Sequence, residues 1–224
     1  MKRKTLLTLL MVALSGCQAS ERGISLRDVE GTLPYGKWGF AFFTPYALPA
    51  YVTRAFILDT EGAGESFRTL DSSPGDPDTV QTWNNRVRMH GNFNKAVSLP
   101  VGIVFCWDSV IDKKTYETRI IFPVSLRESM MKPTGKDWRG DTTWNDTLLF
   151  GLAPGGKVKI WMQNSGGGEN MPVTPNRIST FSGNKLDACK DVPSRIDFNY
   201  SIPDGYDQDI KDFIKGKTYP YGDW

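Results

Sequence analysis

The stretch LPVGIVFCWDSVIDKKTYETRIIFPVSLRESMM, Leu99 to Met131, decides how the chain is read, because it spells strand, turn, strand and helix in one run. Val101, Ile103, Val104, Phe105 and Trp107 form a short apolar run rich in β-branched and aromatic residues, opened by Pro100 and closed by Asp108. That is the pattern of a buried strand. Further on, Tyr116, Thr118, Ile120 and Phe122 fall on one face and Glu117, Arg119 and Ile121 on the other, since successive side chains of a strand point to opposite sides. Pro123 stops the second strand, Ser125 and Glu128 have the S-x-x-E spacing of a capping box, and Pro133 limits the helix to about two turns. This hairpin and helix are expected to supply the middle of the core.

Outward from that centre, Trp38 to Thr44 reads as a strand with Trp38, Phe40 and Phe42 on one face, and Val52 to Leu58 as its partner in a first hairpin. Leu148 to Leu152 and Lys157 to Gln163 are two strands joined by the turn Ala153-Pro-Gly-Gly156, with Val158, Ile160 and Met162 facing one way and Lys157, Lys159 and Trp161 the other. Arg195 to Ile202 alternates most cleanly of all, and Val87 and Met89, alternating with Arg86, Arg88 and His90, suggest a short strand. A last helix is expected with Asp204 as N-cap, Asp207 in its first turn, Tyr206, Ile210, Phe213 and Ile214 on one side and Gly216 as its stop. Asp59 to Asp78, Lys136 to Asn145 and Ser165 to Pro175 read as loops. The fold class is therefore α+β and mainly β: antiparallel sheets in a sandwich-like arrangement, with a short mid-chain helix and a C-terminal helix. No repeat of fixed period occurs, and the two hairpins can pack face to face.

Lys2, Arg3 and Lys4 precede an apolar segment, Leu6 to Leu14, too short to span a bilayer, which is the build of an export signal. Leu14-Ser15-Gly16-Cys17 looks like the lipobox of bacterial lipoproteins, so Cys17 is the expected lipidation site, and Gln18 after it points to the outer membrane. The expected organisation is a signal peptide over 1–16, a lipidated N-terminus and tether over 17–30, and one β-rich periplasmic domain over 31–224. Without the three signal residues, the 27 basic residues fall to 24 against 25 acidic. Such a nearly neutral chain lacks the basic face that nucleic acid requires. In an oxidising compartment Cys106 and Cys189 can pair, the other reading being two buried thiols.

The residues offer little chemistry. There is no G-x-S-x-G, and Gly64-Glu-Ser-Phe-Arg68 fails at its last position. His90 is the sole histidine, which leaves neither a triad nor a zinc site with ordinary spacing. Asp76-Pro-Asp78 lacks the alternation of a calcium loop, and Ser165-Gly-Gly-Gly168 is followed by no phosphate-binding lysine. Paired carboxylates are set by the fold and not by spacing, so they stay open. The expectation is a chain that is not an enzyme and needs no cofactor or metal. Its seven Trp, eight Tyr and twelve Phe are generous for this length and mostly core, and Trp83, Trp138, Trp144 and Trp161, each structural on the plainer reading, are the ones to test as interface anchors.

Three features together resemble a family of bacterial lipoproteins catalogued as domain of unknown function 2931: the lipobox at Cys17, the segment Leu99-Pro100 through Trp107-Asp-Ser-Val-Ile-Asp-Lys-Lys-Thr-Tyr116 to Pro123, and Gly151-Leu-Ala-Pro-Gly-Gly-Lys-Val-Lys-Ile-Trp161. Members of that family often look like periplasmic immunity proteins that bind and block type VI secretion phospholipase effectors. The resemblance therefore implies an outer-membrane-anchored inhibitor whose partners are a cognate toxin and the membrane, with no nucleic acid, monomeric when free. Glu65, Arg68, Asp71, Asp76, Trp83, Trp161 and Glu169 are the guessed contacts, the loop Asp59 to Asp78 or Ser165 to Pro175 covering the enzyme's entrance while aromatic anchors hold the rim. The alternative is an envelope lipoprotein that binds a ligand or assembly partner.

Overall fold

The computed structural model describes residues 33–68, 73, 75–90, 94–194, 208–216 and 222–224. Cys17, the tether, Asp71, the strand expected at Arg195 to Ile202 and the cap expected at Asp204 lie outside the described residues. No helix among the described residues is long and apolar enough to cross a membrane.

The central segment folds as its alternation predicts. Strand β6 (Pro100–Ser109) and β7 (Lys114–Ile121) form an antiparallel hairpin, and α1 (Val124–Met130) follows Pro123. The capping box does not form, because the helix starts two residues earlier than it requires. Pro123 is the N-cap, Ser125 lies inside the first turn, and no side chain caps the helix.

Two sheets face each other. One runs β12 (Arg177–Ser182), β7, β6, β2 (Ala50–Asp59), β3 (Gly64–Arg68). The other runs β11 (Met171–Pro172), β10 (Lys157–Asn164), β9 (Thr142–Ala153), β1 (Trp38–Pro45), β4 (Gly75–Asp76), with β5 (Lys95–Ala96) paired to β1 and β8 (Pro133–Lys136) to β9. Between them Phe40, Phe42, Phe150, Ile160 and Met162 of one sheet meet Ile57, Ile103, Phe105, Trp107 and Ile120 of the other. The rings pack at angles, Phe42 to Phe105 at 5.0 Å and Phe40 to Phe67 at 4.9 Å edge-on. Full burial of each such side chain is worth about 1.5–3 kcal/mol. The β6–β7 and β9–β10 hairpins thus stand on opposite sides of one core.

Four expectations are corrected. Val52 to Leu58 does not pair with Trp38 to Thr44: after β1 the chain turns through Ala47, at φ 63, and enters the opposite sheet, where β2 pairs with β6 and β3. β1 pairs instead in parallel with β9, Phe42 opposite Phe150. It is buried on both faces, which is why it reads as a continuous apolar run. Asp59 to Asp78 is not one loop, since Asp59 accepts the backbone N–H groups of Glu61 and Ala63 and thereby forms the tight turn into β3, while β4 lies along β1. Lys136 to Asn145 is not a loop either: it is the tip and outgoing strand of the β8–β9 hairpin. Val87 and Met89 lie in no strand, for a reason given below. The C-terminal helix α2 (Gln208–Ile214) ends at Gly216, at φ 76, and sets Phe213 edge-on to Tyr46 at 4.6 Å.

Candidate functional site

The outer face of the β1 sheet carries three rows of residues fixed by strand register. Gly39, Thr147 and Gln163 form the first; Ala41, Leu149 and Trp161 the second; Phe43, Gly151 and Lys159 the third. The second row is wholly apolar and the third carries Phe43 beside Gly151, and a sheet face of that kind must be covered. Residues 83–90 cross it as a strap. Trp83 lies on the third row, where a Cβ on Gly151 would come within 2.4 Å of its ring, so only glycine seats it. Trp83 also meets Phe43, Trp161 and Trp224 at 5.8, 5.4 and 5.1 Å. Val87 is buried with Ala41, Leu149 and Trp161 in a second, smaller core.

Side-chain amides hold the strap down. Gln163 accepts the N–H of Met89 through Oε1 at 2.9 Å and donates from Nε2 to its carbonyl at 2.8 Å. Asn170 donates from Nδ2 to the Val87 carbonyl at 2.6 Å, and the Trp161 indole donates to Asn85 Oδ1 at 2.9 Å. Gln163 therefore presents Met89 with the donor and acceptor that a neighbouring strand would have offered. That explains why 86–90 alternates like a strand and is not one: its partner is a row of amides.

At the first row the strap leaves a cleft of about 220 Å³, lined by Lys37, Arg88, His90, Lys95 and Asp146 among others. Arg88 is anchored by an Nη2 hydrogen bond to the Asn164 carbonyl at 2.6 Å. Burial lowers its proton affinity and the nearby Asp146 pulls the other way. Burial likewise raises the Asp146 carboxyl above the usual range, opposed by a hydrogen bond from Thr147 and by the charges of Arg88 and Lys95. Tyr35, close by, is pushed upward by burial and by Asp146.

Beyond the same end of the sheet the β8–β9 hairpin projects. Its turn is stiffened by Asp137, whose Oδ1 accepts the backbone N–H of Arg139 and of Asp141, both at 2.9 Å, and by Gly140 at φ 88. Trp138 stands at the tip, 86% exposed, with the Arg139 guanidinium 4.5 Å over its ring. Ser165 ties the neighbouring loop to this hairpin: its Oγ accepts the Trp144 N–H at 3.0 Å and its own N–H donates to the Trp144 carbonyl.

The guessed contact residues fall in three places. Glu65 and Arg68 lie on the edge strand β3 of the opposite sheet, and Asp76 lies beside the far end of β1, accepting the Thr79 hydroxyl. Trp83, Trp161 and Glu169 come together at the strap, where Glu169 pairs with Arg86 at 3.1 Å. Trp161 is corrected as a surface anchor: it is 1% exposed, because its side of β10 is covered by the strap. Trp144 is half-buried against Tyr35 at 5.5 Å. His90 lies at the cleft, and no group of His, Cys, Asp or Glu that could hold a metal ion occurs among the described residues. Sequence reasoning missed Gln163, Asn170, Arg88 and Asp146. Gln163 left a signal, a polar residue on the same face of β10 as Lys159 and Trp161.

On the opposite sheet, Cys106 and Cys189 form a disulfide with Cα atoms 5.6 Å apart. It ties residues 183–194 over the outer face of β6 and β7. The fully buried Glu117 accepts the N–H groups of Asp187 and Cys189 at 2.9 Å and pairs with Arg119.

Both stretches that carried the family resemblance are used here: Gly151 to Trp161 seats the strap, and Leu99 to Pro123 carries Cys106 and Glu117. No curated protein and no solved structure matches the chain. The family model described as "Protein of unknown function (DUF2931)" matches residues 19–222, and the chain belongs to that family.

Proposed function

We propose that this protein is an outer-membrane-anchored periplasmic immunity lipoprotein, lipidated at Cys17, that binds a type VI secretion phospholipase effector and occludes it. The observation that favours a protein partner is Trp138, held out at 86% exposure on a turn whose backbone is fixed by Asp137. An exposed tryptophan on a pre-ordered turn loses little entropy on docking and is the residue type most often found at the energetic centre of an interface. The occluding element in this reading is the β8–β9 hairpin, with Glu169 and the strap at its flank. A lipid anchor would hold the inhibitor where the lipase meets its substrate, raising its effective concentration there. The alternative, an envelope lipoprotein that binds a ligand, is favoured by the charged cleft beside the hairpin.

Periplasmic co-expression with a phospholipase encoded beside this gene, scoring survival and copurification, tests the proposal. Survival with a stable complex is expected, and Trp138→Ala should weaken that complex by at least tenfold, about 1.4 kcal/mol, without lowering the melting temperature. An exported, folded protein that neither protects nor copurifies overturns the reading. Replacing Cys17 by Ser should leave binding in solution unchanged and reduce protection in cells.

A further inference from the structure

We propose that the cleft at the first row of the β1 sheet is an anion site that takes a phosphate group, either free or as the headgroup of a phospholipid. Three cations, Lys37, Arg88 and Lys95, share this recess with a single carboxylate, Asp146, so the pocket carries surplus positive charge. None of these groups makes an ion pair within 4 Å: the ion pairs among the described residues join Arg86 to Glu169 and Arg119 to Glu117 and Asp187. Their charges are therefore uncompensated by short contacts, in a concave site where the field is focused.

Arg88 is also oriented. One Nη2 hydrogen bond, to the Asn164 carbonyl at 2.6 Å, fixes the guanidinium on the end of β10, and the clamp of Gln163 on Met89 holds the backbone beside it. The remaining N–H donors have no described protein acceptor. A planar fork with free donors matches the oxygens of phosphate, and Lys37 and Lys95 add point charges. A free phosphate carries about −1.5 to −2 charges near neutral pH and a phosphodiester headgroup a single one, both within the surplus of three cations over one carboxylate. Asp146 opposes the ligand and sets a limit on affinity. The inference rests on the cleft alone and holds whichever protein partner binds the hairpin.

The full chain in non-ionic detergent, titrated calorimetrically with inorganic phosphate and with glycerophosphoglycerol, a water-soluble phosphodiester headgroup, tests the site at constant ionic strength. Saturable binding of at least one is expected. Arg88→Ala should weaken it about tenfold, as for loss of a charge-assisted hydrogen bond, Lys95→Ala by less, and Asp146→Asn should strengthen it. Binding of the diester assigns a lipid headgroup, and binding of inorganic phosphate alone assigns the free ion. Absence of saturable binding, binding indifferent to both Arg88→Ala and Lys95→Ala in variants that melt like the parent, or equal binding of acetate overturns the proposal.

Discussion

The two sheets solve one problem with different chemistry. Each must cover its outer face with a segment that is not a strand, and the covers are fastened in opposite ways. Over β6 and β7 the cover is locked by a covalent bond at Cys106 and Cys189 and by a fully buried Glu117. Over β1, β9 and β10 it is a strap held by amides, an indole and packing, with no covalent link. The amide-held cover flanks the charged cleft. A cover held by several modest bonds opens locally at lower free energy than one tied by a disulfide, and binding loops are drawn from that end of the range.

The largest effect should come from Trp161, the one side chain that joins the strap's hydrogen bonds to its apolar seat. Trp161→Ala should destabilise the protein by about 3–5 kcal/mol, read as a lower denaturant midpoint. It should also release protection of the Met89 amide, which donates to Gln163, in hydrogen exchange. If the midpoint falls and that protection survives, the strap does not depend on the aromatic row and the contrast fails.

Next is the disulfide, which closes a loop over a sequence separation of 83. Reduction, or paired serine substitution, should cost about 2–5 kcal/mol and raise exchange in 186–190 while leaving the strap unchanged. Equal loosening of both covers would show one cooperative unit in place of two.

Gln163→Ala removes both bonds to Met89 and leaves a donor and an acceptor unpaired, for about 1–3 kcal/mol. Gln163→Glu sharpens the test, because a carboxylate can accept the Met89 N–H and cannot donate to its carbonyl. It should recover only part of the loss.

How far the sequence carried this picture follows from the range of each signal. The hairpins β6–β7 and β9–β10 were legible because alternation and turn residues are local, and the turn at Gly155 and Gly156, at φ 77 and 71, is what Pro-Gly-Gly suggests. The passage of β2 into the opposite sheet was not legible, since two adjacent apolar strands look the same whether or not they pair. The strap was misread for a physical reason: its alternation is real, and its pairing partners are side chains of Gln163 and Asn170, far along the chain. The β8–β9 hairpin escaped because both its strands begin among exposed polar residues. Of the candidate site, Trp83, Trp161 and Glu169 were singled out individually, and only the fold brings them together. Lys37, Arg88, Lys95 and Asp146 are united by three-dimensional register alone.

The smallest effect is also the one that separates fastening from recognition. Arg86 and Glu169 make an ion pair at 3.1 Å with most of both side chains exposed to water, so a double-mutant cycle should give a coupling of about 0.2–1 kcal/mol that fades with added salt. A coupling above about 2 kcal/mol would mean that the pair carries the strap and that the amides do not. With the small value, Glu169→Ala leaves the fold nearly untouched and becomes a clean probe of contact. A loss of affinity for the proposed phospholipase partner in that variant would then measure what Glu169 does for recognition and not what it does for the strap.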